Sequence, residues 1–545
     1  MHLRLNMLDL ALEPTDERAR PVFKDRAGCE AWLQQLQLTN LHQAHGVLRL
    51  QLDEFNRFPM NGLDRLHTLE FLRETIVVIQ DDYAKKLISK KLPLSSDELT
   101  IFVAIINLWK GLVTGYQRCL QNYFDGDKQL SDSVSLITQR CLRYTGLQIF
   151  EHLRNGYEFD TQLWLQLHSL FAFAEQQDIL RKAVQDELHS PNHPSTCQAV
   201  WIKTLLASHS HPAELTRGQL QMLDRWLTQW SDVVEVNRRF AISEQDAPPL
   251  AVDLWSAHGL QAVKLISSSG EMRYLAMVPL SKLLRVKTIL LQQGQIPQQL
   301  ELGDVNSADC AEFLKTLHHY LCEENTDRQI DRHNATQLAD LCFNVEGIYA
   351  HISFTPFRQP KKEVGTDRKE QTQIAAFGRV LTDSNRQNIV ELGFSLESWH
   401  VENESMLGAK VLREEIKGER IGVHQIVAIR PSDANAFILG KVSWVVVTLS
   451  GQLRIGIQYF PGVAQAVSIQ KKRLNTSLSD KAVAALLLPA VPTLKTPASL
   501  IVPRDFFQPN HLAEITELDN KTQSIKMGFS VVKGIDFERI SFSPE

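Results

Sequence analysis

The chain has 545 residues, 43% of them hydrophobic and 22% charged, with a formal net charge of −5. That length accommodates roughly three or four domains of about 150 residues each, and the composition excludes extensive disorder and collagen-like architecture. A slightly acidic chain is also not a general nucleic-acid binder, which needs a basic surface.

Cys29, Cys119, Cys141, Cys197, Cys310, Cys322 and Cys342 are odd in number and contain no C-x-x-C pair. This pattern suits reduced thiols in a cytoplasmic protein better than a disulfide framework or a zinc ribbon. The first ten residues, Met1 to Leu10, lack the apolar core and cleavage site of a secretory signal. No run of about 18 uncharged apolar residues occurs, so no membrane span is expected.

Residues 1–230 read as a helical domain, either a bundle or a repeat-like module. Leu63, Leu66, Leu69, Leu72 and Ile76 recur at steps of three and four, as do Leu108, Leu112, Tyr116 and Leu120. Ser95 to Glu98 supplies an N-cap and early acidic residues for the second of these helices. The segment Leu163 to Glu175 alternates large aromatics with alanine, as half of a tetratricopeptide-type hairpin does, although no 34-residue repeat is evident. Residues 231–325 read as mixed α+β, with short strands at 250–254 and 261–266 and helices at 281–293 and 309–321.

From Leu338 onward β signals dominate. Strands are expected at 338–354, 389–394, 397–403, 408–413, 421–429, 437–449 and 453–460. Short strands with glycine-bearing turns suggest a closed barrel, which leaves no exposed sheet edge. Arg358 to Gln373 is polar and without apolar period, and reads as a solvated loop. Residues 473–545 form a further β-rich segment, with strands at 499–503, 513–517 and 526–532, short enough to pack on the barrel.

Two motifs stand out. Arg328-Gln329-Ile330-Asp331-Arg332 holds the one pair of arginines four apart in the chain. A guanidinium fork pairs with phosphate oxygens or with the O6/N7 edge of guanine, and also stacks on rings. Alone, among Glu323, Glu324, Asp327 and Asp331, these arginines read equally as a self-paired surface segment. Asn403-Glu404-Ser405-Met406-Leu407-Gly408 sets an amide and a hydroxyl two apart, on one side of a strand. Gly408 there allows positive φ or a close backbone approach to a ligand; by itself the motif also suits an ordinary β-turn.

In this order, R-x-x-x-R then N-x-S-x-x-G, followed by strands such as Gly440 to Trp444 and Arg454 to Phe460, residues 326–472 resemble the PilZ domain family of cyclic-di-GMP receptors. The motifs stand further apart than in that family, as though 357–393 were inserted. The resemblance implies an α+β multidomain protein: a helical N-terminal domain, then a PilZ-like antiparallel β-barrel, then the C-terminal β segment. It implies cyclic di-GMP as ligand, with Arg328 and Arg332 on phosphate and guanine and Asn403, Ser405 and Gly408 seating a base. It also implies a receptor that passes the messenger level to an unidentified protein partner, by association type IV pilus or attachment machinery. The other reading is a scaffold whose barrel works without nucleotide.

No phosphate-cradling loop of the form G-x-x-x-x-G-K-[ST], no G-x-S-x-G and no H-E-x-x-H occurs, nor the motifs expected of enzymes that make or degrade cyclic di-GMP. No enzyme, cofactor or metal is therefore expected. His189, His193, His209 and His211 lack cysteine or carboxylate partners at metal-binding spacing and read as exposed loop residues.

Overall fold

The structure is a computed structural model. It describes residues 10, 12–88, 91–239, 247–263, 270–323, 333–334, 337–359, 389–415, 417–472 and 481–545. The chain divides into two compact units, Met1–Lys90 with Leu94–Arg328, and Lys91–Pro93 with Gln329–Glu545.

The first unit is mainly helical: α1 (Arg26–Leu33), α2 (Leu41–Arg57), α3 (Gly62–Ala84), α4 (Ser96–Phe124), α5 (Val134–Asn155), α6 (Gln162–Gln176), α7 (Cys197–His209) and α8 (Arg217–Trp230). The expected start of α4 is built as a capping box. The Ser95 hydroxyl accepts from Glu98 N–H, and the Glu98 carboxylate accepts from Ser95 N–H. α4 is apolar and 29 residues long, enough to cross a membrane by length. Its stripe Leu108, Leu112, Tyr116 and Leu120 is instead fully buried, in a helix packed on α2, α3 and α5. In α6, the Phe171 ring stacks 3.8 Å from that of Trp201 in α7, so the aromatic run forms core.

A hairpin of β1 (Val184–Asp186) and β2 (Ser190–Ser195) is tied to the bundle by charge. Asp186, fully buried, lies 3.0 Å from Arg73, 3.3 Å from Arg140 and 3.4 Å from Arg143. Burial alone would raise this carboxyl, but Arg143, Arg140 and Arg73 outweigh it and hold it well below the usual range. The remainder of the unit is a four-stranded sheet in the order β3 (Glu235–Asn237), β6 (Met272–Ala276), β4 (Leu250–Asp253), β5 (Gln261–Ala262), followed by α9 (Val278–Gln292) and α10 (Ser307–Cys322).

Two of the histidines expected in solvent are partly buried instead. The His209 ring bonds the Leu260 carbonyl at 3.2 Å. His189 lies against Tyr144 and beside the Asp186 cluster, where burial, then Arg143, pushes its pKa down to about 3. His211 is exposed, as expected.

The second unit holds two antiparallel barrels. The first uses β8 (Leu338–Phe343), β9 (Glu397–Ser405), β10 (Gly408–Arg413), β11 (Ile426–Pro431), β12 (Ile438–Val447) and β13 (Leu453–Tyr459). Their order β10-β13-β12-β11-β8-β9 closes because β9 also pairs with β10. A two-residue strand, β7 (His333–Asn334), pairs with the far end of β9. The second barrel closes in the order β14 (Gln465–Lys471), β15 (Val483–Leu488), β16 (Ser499–Pro503), β19 (Phe537–Pro544), β18 (Thr522–Lys533), β17 (Leu512–Glu517). It therefore begins at Gln465, inside the span that the sequence reading gave to the first barrel, since β17 needs β14 beside it to close.

Two expected strands are helical. The apolar run after Phe343 is α11 (Val345–Ser353), not the end of a long strand. Asn344, at φ 63°, caps it by accepting from Gly347 N–H. Its Val345, Ile348 and Tyr349 share one core cluster with Ile426 and Leu439 of the first barrel and Leu486 and Ile501 of the second. Residues 389–394 make a helical turn, closed by Gly393 N–H to Val390 O and Phe394 N–H to Ile389 O.

Candidate functional site

The N-x-S-x-x-G motif spans the β9–β10 hairpin, and what it presents depends on one extra residue. Gly408 pairs with Ser405, Ala409 with Glu404 and Lys410 with Asn403, but Val411 pairs with Val401. Glu402 therefore has no partner on β10 and forms a β-bulge. Trp399 and Val401 are buried inside the barrel, as are their neighbours Ala409 and Val411. Strict alternation would send Asn403 and Ser405 the same way. The bulge inverts the phase, so that Asn403 and Ser405 take the outer face with Gly408 and Lys410.

Two cross-strand rows result on that face. One runs Asn403, Lys410, Gly456, Trp444 from β9 through β10 and β13 to β12. The other runs Ser405, Gly408, Gln458, Lys441. Gly456 is required by its neighbour: a Cβ there would lie 2.1 Å from Trp444 Nε1, so the indole crosses the strand where no side chain stands.

Gly408 acts differently from the expectation. It lies outside the positive-φ glycines. A Cβ on it would meet the Ile457 carbonyl oxygen at 2.1 Å, so its close approach is to β13, within the barrel. Ser405 serves the hairpin: its hydroxyl accepts from Leu407 N–H at 3.4 Å and donates to Gly408 O at 3.3 Å. The tip, Met406 and Leu407, is exposed.

The bulge residue joins two cations. The Glu402 carboxylate lies 2.8 Å from Lys410 Nζ and 3.2 Å from Arg454 Nε. Burial raises its pKa, but Lys410 and Arg454 outweigh that and hold it below the usual carboxylate range. At the barrel mouth, the Tyr459 hydroxyl donates to Glu404 at 2.7 Å, and burial together with that carboxylate pushes the phenol pKa upward.

Arg328 and Arg332 lie outside the described residues. The described chain resumes at His333, the residue after Arg332, whose backbone stands opposite Glu404 between Asn403 and Ser405. Sequence reasoning did not single out Lys410, Arg454, Trp444, Gln458 and Lys441, which the ladder sets beside the motif. Their signal was present in the alternation Gly408-Lys410-Leu412 and Arg454-Gly456-Gln458, where glycine takes positions that a ladder normally fills. Among the described residues no group of three or more His, Cys, Asp or Glu is arranged to hold a metal.

Comparison with known proteins agrees with a receptor architecture. Residues 26–239 match the family described as "Cyclic-di-GMP receptor FimW, N-terminal domain". Residues 467–544, most of the second barrel, match "FimW C-terminal beta-barrel domain". A curated relative from Pseudomonas aeruginosa, "Cyclic-di-GMP receptor FimW", is 20% identical over 534 residues, covering 89% of this chain and 85% of the relative. At both ends, then, this chain is similar to the FimW cyclic-di-GMP receptors.

Proposed function

We infer that this chain is a cyclic-di-GMP receptor. The likeness to FimW at both ends supports the ligand, and the first barrel between them supports a PilZ-like site on its outer face. One observation carries the site: the strand that begins one residue after Arg332 pairs alongside Asn403. The pairing of His333 and Asn334 with Glu404 and Asn403 supports the reading that the arginine motif, which precedes them in the chain, serves the same site.

The chemistry of that face suits a cyclic purine dinucleotide. Asn403 offers an amide to a base edge, Ser405, its proton engaged with Gly408 O, offers a hydroxyl lone pair, and the Trp444 indole lying over Gly456 offers a flat π surface. Arg328 and Arg332 supply forks that pair with phosphate and guanine, at about 1.5–3 kcal/mol for each charged hydrogen bond. Gly408 supports this site by setting the β10–β13 spacing instead of touching a base.

The receptor works as a binding protein, not an enzyme, and reports messenger level to a protein partner, with pilus or attachment machinery as the class to test first. Binding changes that output only through different affinities for two states. The seven cysteines, all buried and unpaired, support a reducing compartment such as the cytoplasm.

Isothermal titration of the full chain with cyclic di-GMP tests this reading. Arg332→Ala is expected to weaken binding by roughly 2–5 kcal/mol, the scale for removing one partner of a desolvated charge contact. A wild type that gives no heat and no shift in melting temperature with the dinucleotide refutes it.

A further inference from the structure

We propose that β18 of the second barrel carries a protein-docking edge, residues 528–533, shaped for an acidic, apolar segment of a partner chain that adds to it as an extended strand. The edge uses no residue of either sequence motif. It goes beyond the receptor reading and does not depend on it.

Backbone pairing is the first argument. β18 is 12 residues long. β17 covers only its first part, from Thr522 opposite Thr516 to Lys526 opposite Leu512. Met527 makes the last bonds on that side, donating to His511 O at 2.9 Å and accepting from Asn510 N–H at 2.9 Å. Beyond it, among the described residues, β18 pairs with β19 alone. Barrel closure normally removes sheet edges; this one leaves a stretch of strand with one side open to another chain.

Two bulges are the second argument. Gly528 and Phe529 together oppose Ser541, between the pairs Met527–Phe542 and Ser530–Ile540. Val531 has no counterpart, because Ser530 and Val532 oppose the consecutive residues Ile540 and Arg539. Side-chain chemistry builds the first bulge. The Ser541 hydroxyl accepts from Phe529 N–H at 2.9 Å and donates to Phe529 O at 3.2 Å. A Cβ on Gly528 would lie 2.5 Å from that hydroxyl oxygen. A bulge re-aims the residue it frees. Here the freed residues are Phe529 and Val531, 68% and 45% exposed. Edges that only avoid association place charge at such points. A phenyl ring and a branched aliphatic two residues apart suit contact instead.

Charge selects the occupant. The charged side chains of β18 are Lys526 and Lys533, both exposed, one on each side of the apolar pair, with no acid in the strand. Glu538, opposite Lys533 on β19, is buried. A second copy laid antiparallel along the same edge would gather the lysines of both chains and supply no anion, and like charges across a ladder are destabilising. An acidic segment pairs with both lysines while its alternate apolar residues meet Phe529 and Val531.

The test is fluorescence anisotropy of the full chain with a short labelled peptide that alternates valine and glutamate. One control peptide carries lysine for glutamate; another carries methyl groups on its backbone nitrogens. Saturable binding of the first peptide alone is expected, weakened at least about tenfold by Phe529→Ser and by Lys533→Glu, the scale of losing an anchor residue. Both positions are exposed, so urea midpoints without peptide should match wild type. Equally tight binding of the methylated peptide refutes strand addition. No binding by wild type, or undiminished binding by Phe529→Ser, refutes the docking edge. Sedimentation showing a wild-type dimer that Phe529→Ser dissolves would assign the edge to a second copy and overturn the acidic occupant. Pelleting with phosphatidylglycerol vesicles that Phe529→Ser abolishes would overturn it in favour of a membrane surface. Cyclic-di-GMP titration of the same samples reads the receptor function separately, so either conclusion can fail without the other.

Discussion

Deleting Glu402 should separate the two faces of β9 in the most direct way. Without the bulge, β9 must alternate strictly against β10, and its two halves can no longer face opposite sides. If Trp399 and Val401 stay inside, Asn403 and Ser405 turn inward and lose their polar partners, at about 1–3 kcal/mol for each unsatisfied group. If Asn403 and Ser405 stay outside, Trp399 and Val401 leave the core, where both are now buried, at about 1.5–3 kcal/mol each. Either course costs at least about 2 kcal/mol. Glu402→Gln keeps the bulge and removes only a partly exposed ion pair, worth about 0–1 kcal/mol. The difference between deletion and substitution therefore reports the bulge itself. Urea unfolding followed by circular dichroism, with dinucleotide titration on the same samples, measures both consequences. A deletion that unfolds at the same midpoint as Glu402→Gln, and binds like wild type, would refute the account of the outer face.

Two further outcomes follow from the same structure. Gly408→Ala places a carbon 2.1 Å from the Ile457 carbonyl oxygen; β10 and β13 must separate, at about 1–3 kcal/mol, and a urea midpoint equal to wild type would contradict this. In the helical unit, burial pushes the His168 pKa down to about 4, against a smaller opposing effect of its bond to the His258 carbonyl. Its Nδ1 accepts from Trp201 Nε1 at 3.3 Å and its Nε2 faces the His258 carbonyl at 2.8 Å, so the neutral ring is the form that fits. The unfolded ring, with a pKa near 6.5, binds a proton first as pH falls. The stability from this site is complete above about pH 6.5 and is lost progressively toward pH 4, by up to about 3 kcal/mol. His152 and His209, also lowered to about 4 mainly by burial, add to the same slope. Unfolding midpoints measured from pH 7 to pH 4.5 should fall, and His168→Gln should flatten the fall; a flat wild-type profile would refute it.

Local patterns carried much of this protein into legible form. The period of Leu108, Leu112, Tyr116 and Leu120 and the Ser95–Glu98 box specified α4, because a helix is written in short-range spacing and caps. The α+β class, and the strands at 408–413 and 499–503, were legible for the same reason: alternation is local. What the chain could not announce was decided between distant segments. Val345 to Ser353 is apolar enough to be a strand, yet it is a helix whose buried residues join one core cluster with both barrels. Gln465 to Lys471 belongs to the second barrel because β17 needs an edge to pair with. Asn403 and Ser405 share a side by spacing alone, but which side was fixed by Glu402, an extra residue in one strand that only its register against Lys410 and Val411 makes visible. A bulge is a mismatch between two strands, and a mismatch has no signature in either strand read alone.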